Sequence, residues 1–146
     1  MYTKILVPLD GSEVAEVALP HAVALARTFG AELVLLRVAH APFSPGRDPL
    51  EAERAAVEES EQYLAEAAQR LAAQGVPVRT VVRYGKAAEE ILDHAATEGI
   101  SLIVMATHGR SGVGRWLLGS TAEKVVRATS QPVLLVRAAT PHASQV

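Results

Sequence analysis

Leu102-Ile103-Val104-Met105-Ala106-Thr107-His108-Gly109-Arg110-Ser111-Gly112-Val113-Gly114-Arg115 joins an unbroken apolar run to a glycine-rich segment, and Gly119-Ser120-Thr121 follows shortly after it. A run with no polar alternation is what a strand covered on both faces requires, and such strands belong to parallel sheets with helices above and below. The rest of the chain repeats the arrangement. Short β-branched and leucine-rich runs at Lys4 to Leu9, Glu32 to Val38, Val76 to Arg83, Ser101 to Ala106 and Pro132 to Arg137 alternate with segments of helical period. Those segments are about Ser12 to Phe29, Leu50 to Ala73, Lys86 to Thr97 and Ser120 to Ala128. The pattern predicts an α/β fold of βαβ units, an open five-stranded parallel sheet with four helices on its two faces. In the first helix Val14, Val17, Ala18, Ala22 and Leu25 point inward. Pro20 cannot donate to the carbonyl of Glu16, which predicts a kink or a helix in two parts. The stretch from Ala39 to Pro49, with Pro42, Pro45 and Gly46, is the longest irregular segment.

At 146 residues the chain has the length of one domain, expected over 1–138, with residues 139–146 as a flexible tail. Fourteen Lys and Arg stand against 16 Asp and Glu, a balance that favours neither nucleic acid nor an anionic membrane as partner. One Trp, three Tyr and two Phe are too few for a base-stacking platform. No cysteine is present, so disulfides, thiolate nucleophiles and cysteine zinc sites are excluded and a reducing compartment is suited. The start of the chain lacks signal-peptide features, and no apolar run approaches the roughly 20 residues that span a bilayer. The cytoplasm is the expected location.

Chemistry concentrates in Thr107 to Arg115, where three glycines, two arginines and two hydroxyls occur within nine residues. Glycines let backbone N–H groups approach a phosphate, arginines bring charge, and Gly119-Ser120-Thr121 adds donors at a helix start. Ser120 reads as the N-cap of that helix, with Glu123 as its capping-box partner. The plainer reading is a surface loop whose glycines only make turns. Position favours the anion cradle, because open parallel sheets bind ligands beyond the carboxyl ends of their strands where the strand order reverses. A reversal between the first and fourth strands would bring Pro8 to Ser12 beside Ala106 to Ser120. The Walker A string is absent, and Gly109-x-x-Gly112-x-Gly114 reverses the Rossmann spacing and follows the wrong strand.

Catalytic patterns are missing. His21, His40, His94, His108 and His142 show no metal-ligand spacing, and His108 stands out only because it adjoins Gly109. No Gly-x-Ser-x-Gly elbow occurs. The last strand, Val133 to Val136, is apolar throughout, and at a sheet edge it would need covering.

Five segments together resemble the universal stress protein family: Val7-Pro8-Leu9-Asp10-Gly11-Ser12; Gly85 with Ala87-Ala88 and Ile91; Leu102 to Arg110; Leu118-Gly119-Ser120-Thr121-Ala122-Glu123-Lys124-Val125; and Pro132 to Val136. The resemblance spans essentially the whole chain. It implies a flavodoxin-like sheet of order 3-2-1-4-5 and a homodimer paired through the last strand. The nucleotide-binding branch of the family carries Gly-x-x-Gly-x9-Gly-Ser/Thr. Here Gly109, Gly119 and Ser120 match, whereas the first glycine is replaced by Ala106, whose methyl narrows the backbone approach.

The resemblance further implies Asp10 at the ribose or at Mg²⁺ on the phosphates, and the Arg37-Val38-Ala39 backbone at the adenine edge. Asp10 has an equally good reading as an Asx-turn residue bonded toward Ser12. The expected ligand is ATP, or AMP or ADP, held by Pro8, Leu9, Asp10, Val38, Ala106, Gly109, Arg110, Gly112, Gly119, Ser120 and Thr121. The expected role is a stress-response or signalling module with at most slow ATP hydrolysis. Its alternative is a dimeric member that binds no nucleotide and acts through protein contacts.

Overall fold

A computed structural model describes residues 1–109 and 118–138. Its strands are β1 (Lys4–Leu9), β2 (Glu32–Ala39), β3 (Val78–Tyr84), β4 (Leu102–Ala106) and β5 (Val133–Val136). Its α-helices are α1 (Ala18–Phe29), α2 (Pro49–Ala72), α3 (Ala87–Thr97) and α4 (Ser120–Ala128). The strands form one parallel sheet in the order β3-β2-β1-β4-β5, the order the family resemblance implies.

The uniformly apolar strands divide their side chains between two faces with period two. Ile5, Val7, Leu33, Leu35, Leu102 and Val104 face α1 and α2, where Ala22, Val23, Leu64 and Leu71 meet them. Leu6, Val34, Leu36, Ile103 and Met105 face α3 and α4 and pack on Ile91, Ala95, Ala122 and Val125. Each fully buried Leu or Ile contributes about 1.5–3 kcal/mol, so both layers are needed to hold the sheet. On α2, Val57, Leu64 and Leu71 recur every seven residues; Leu64 and Leu71 are buried and Val57 is partly covered.

Two boundaries beside prolines differ from the sequence reading. The first helical segment is split, as Pro20 suggests, but the break falls before the proline: a single 3-10 turn (Ala15–Val17) precedes α1. Pro20 lies in the first turn of α1, where an N–H has no partner inside the helix anyway. The buried stripe accordingly runs through Ala18, Leu19, Ala22, Val23 and Ala26, with Val14, Val17 and Leu25 only partly covered. β3 begins at Val78 rather than Val76, because Pro77 offers its carbonyl to Leu33 N but has no N–H for a ladder. His94 is 4% exposed and its Nδ1 is without a hydrogen-bond partner. Burial holds its pKa below the usual histidine value, so it packs as a neutral ring. Among the described residues no helix is long and apolar enough to cross a membrane. Residues 139–146, expected as the tail, lie outside the described residues.

Candidate functional site

β1 stays paired with β2 up to Leu9↔Arg37, and β4 with β5 up to Ala106↔Val136. Between β1 and β4 the pairs are Ile5↔Leu102 and Leu6↔Ile103, so the two strands part toward their carboxyl ends. Proline at position 8, lacking a ladder donor, suits the point where that pairing ends. The chain leaves β1 toward α1 on one face and β4 toward α4 on the other, the crossover geometry that opens a crevice in a parallel sheet. A cleft of about 310 Å³ occupies it.

Pro8, Leu9, Asp10, Val38, Ala106, Gly109, Gly119, Ser120 and Thr121 all line this cleft. Segments far apart in sequence thus meet as the crossover predicts. Arg110 and Gly112 lie outside the described residues. His108, which stands out in sequence by adjoining Gly109, also lines it, as do Ala15, Leu36, Ala87, Ile91, Met105 and Ala122, which the sequence does not mark as site residues. Ile91, Met105 and Ala122 carry the signal of core positions, since each is buried on the α3/α4 face of the sheet, and only the parting of the strands exposes one end of that core.

Asp10 forms the turn that leads out of β1. Ser12 N donates to Asp10 Oδ1 at 2.9 Å, the Ser12 hydroxyl donates to the same oxygen, and Ser12 Oγ accepts from Ala15 N at 3.2 Å. Gly11 provides the left-handed backbone this turn requires, with φ 88°. The turn reading of Asp10 is therefore present, and the same carboxylate lines the cleft. Its Oδ2 is so close to Gly109 that a Cβ built there would collide with it.

Gly119 is fixed from the opposite side. Its N–H donates to Thr107 O at 2.8 Å, and a Cβ on it would lie 3.0 Å from His108 Cβ and 3.1 Å from His108 Cα. Thr107 also receives Ala138 N on its hydroxyl at 3.2 Å and gives its own N–H to Val136 O. One threonine thereby ties the end of β4, the head of α4 and the end of β5 together. The N-cap of α4 is Gly119 in extended backbone, not Ser120, and no side chain caps it. Because Gly119 O accepts Glu123 N at 2.9 Å, Ser120 becomes the first helical residue and no Ser120–Glu123 capping box forms. The first N–H groups of α4, which have no acceptor within the helix, therefore border the cleft beside the Ser120 and Thr121 side chains.

A polar network built around the buried Arg37 lies on the Asp10 side. Arg37, paired in register with Leu9, is 7% exposed, bonds Glu59 Oε2 at 2.8 Å and lies 5.1 Å over the Tyr63 ring. Tyr63 donates to Glu16 Oε2 at 2.7 Å, and Arg70 reaches Glu16 Oε1 at 3.3 Å. Burial, then the bond to Glu16, raises the Tyr63 pKa and keeps the phenol protonated. No cluster of three or more His, Cys, Asp or Glu suited to a metal ion occurs among the described residues.

The profile of the universal stress protein family matches residues 1–137. A universal stress protein of Bacillus subtilis, YxiE, is 35% identical over 148 aligned residues, which take in 94% of this chain and 100% of that protein. The structure of the universal stress protein UspA from Lactobacillus plantarum superposes with a TM-score of 0.82 at 31% identity, covering 93% of this chain and 98% of that one. Two more distant structures share the fold. One is a universal stress protein in complex with cAMP (TM-score 0.74, 23% identity, covering 94% and 99% of the two chains). The other is an Arabidopsis thaliana family protein with AMP bound (TM-score 0.70, 13% identity, covering 96% and 94%).

Proposed function

The chain belongs to the universal stress protein family, and from that membership we propose that it binds ATP or a related adenine nucleotide, AMP or ADP, in the cleft between the ends of β1 and β4. The observation that carries this reading is the pair of close approaches at Gly109, against the Asp10 carboxylate, and at Gly119, against the His108 and Thr107 backbone, which set bare backbone beside the uncapped head of α4. Backbone N–H groups at a helix start are good phosphate donors. Phosphates would lie along Gly109 and Gly119 to Thr121, and Arg110 and Gly112 are the further phosphate contacts this reading names. The ribose would meet Asp10, and the adenine the backbone at Val38. The same fold holds cAMP and AMP in two other proteins, which makes adenylates the first nucleotides to test.

Mg²⁺ fits only as part of a ligand complex. Asp10 is a single carboxylate on the cleft wall, so at most it would contribute one ligand to an ion held mainly by phosphates and water. When bound, the ion would neutralise phosphate charge.

In this reading the protein is a cytoplasmic stress-response or signalling module rather than an efficient hydrolase. It pairs with a second copy through the β5 edge, where Leu134 is 37% exposed. Calorimetric titration with ATP and Mg²⁺ tests the nucleotide reading. Saturable binding that a Gly119→Val variant loses supports it, and absence of binding by the wild-type protein overturns it. Absence of binding would favour the rival reading, a nucleotide-free dimer, whose support is the Ala106 methyl on the cleft wall.

A further inference from the structure

We infer that the preferred ligand is longer than a mononucleotide. It is a nucleotide whose phosphate chain continues past Ser120 and Thr121 and ends in a second organic group, the class of the dinucleoside polyphosphates. This rests on the nucleotide reading above. A second groove of about 790 Å³ runs between α3 and α4 and shares Val38, Ala87, Ser120 and Thr121 with the cleft. The two spaces therefore open side by side across the same four residues. At about 310 Å³ the cleft alone is near the lower end of ligand pockets, roughly 300–1,000 Å³. A mononucleotide fills it, and whatever follows its phosphates has the groove to enter.

The groove carries the chemistry such a tail needs. Ala88, Leu92 and Ala128 give it an apolar side on which a flat ring can lie. Lys86, Lys124 and His40 are exposed and line it, and neither lysine takes part in an ion pair among the described residues. Arg127, also in the lining, is held by Glu123 at 3.1 Å, and Glu89 is the one carboxylate there. The two lysines thus supply the uncommitted charge. None of Lys86, Lys124 and His40 lines the cleft itself, so a mononucleotide seated there has no need of them. Each exposed cation facing a phosphate strengthens binding by about threefold, and two together by about tenfold.

The test compares ATP with diadenosine tetraphosphate, which is close to it in charge, by calorimetry at low ionic strength. The wild-type protein is expected to bind diadenosine tetraphosphate about tenfold more tightly. A Lys86→Ala/Lys124→Ala double variant is expected to keep its ATP affinity and lose that preference. Equal affinities in the wild-type protein overturn the inference, as does a preference unchanged in the double variant or a parallel loss of ATP affinity. If neither nucleotide binds, the cleft reading falls and this inference with it; if ATP binds without preference, only this inference falls.

Discussion

Replacing Gly119 by alanine isolates a purely steric contribution to the site. Gly119 has φ −63° and ψ 156°, extended backbone that alanine adopts freely, so no left-handed strain enters. Two smaller effects oppose each other. Alanine is a poorer N-cap than glycine, at a cost of about 0.5–1 kcal/mol, and it reduces unfolded-chain entropy, a gain of about 0.4–1 kcal/mol. What remains is the added methyl, 3.0 Å from His108 Cβ, 3.1 Å from His108 Cα and 3.3 Å from Thr107 O. Backbone atoms of the same tight junction cannot swing aside as a flexible side chain can, and overpacking of this kind costs about 1–3 kcal/mol. A net loss of about 2 kcal/mol corresponds to a fall in Tm of about 4–8 °C at this chain length. Differential scanning calorimetry reads the Tm and ATP titration reads the site. Gly30→Ala is the control: its φ of 66° makes alanine strained by about 1–2 kcal/mol, but nothing lies within 4 Å and the residue is remote from the cleft. Both variants should lose stability, and only Gly119→Ala should weaken nucleotide binding. A Gly119→Ala protein with unchanged Tm and affinity would refute the reasoning.

Ala106→Gly removes the methyl from the cleft wall and should tighten ATP binding several-fold while costing about 0.5–1 kcal/mol of strand stability, since glycine loses more entropy on ordering; unchanged affinity in calorimetry would show that the methyl is no obstacle. His94 is surrounded by Arg83, Lys4, Asp93 and Glu98, and burial dominates in lowering its pKa. Its folded value lies below the unfolded value of about 6.5, so its contribution is complete above that pH and is lost as pH falls through it toward the folded value. Urea unfolding on either side of about pH 6.5 should show a loss at acid pH that His94→Leu reduces, and an identical loss in the variant would assign it to other groups. Leu134→Glu should place a charge in the β5 edge pairing and yield monomers by sedimentation; a wild-type protein that is already monomeric at high concentration would rule out that dimer.

The sheet is legible because its strands are apolar without interruption and separated by helical periods, and a strand-order reversal between the strands ending at Leu9 and Ala106 is enough to bring Asp10 beside Gly109. Where sequence reading erred, a local hydrogen bond had decided the matter. Ser12 looks like the start of a helix, yet its hydroxyl and N–H turn back to Asp10 and postpone α1 to Ala18. Ser120 carries the preferred N-cap side chain, yet the tie from Gly119 N to Thr107 O sets the cap one residue earlier. The apolar part of the cleft lining was hidden for another reason. Ile91, Met105 and Ala122 are ordinary core residues by pattern, and become site residues only because β1 and β4 separate above them.

The most direct test of the central claim is a titration of the isotopically labelled protein with AMP, followed by amide NMR shifts. The account predicts that the largest shifts fall on Asp10, Val38, Gly109, Gly119, Ser120 and Thr121 together, with α2 and the outer residues of β3 unmoved. Shifts confined to any other surface, or none at saturating AMP, would contradict it.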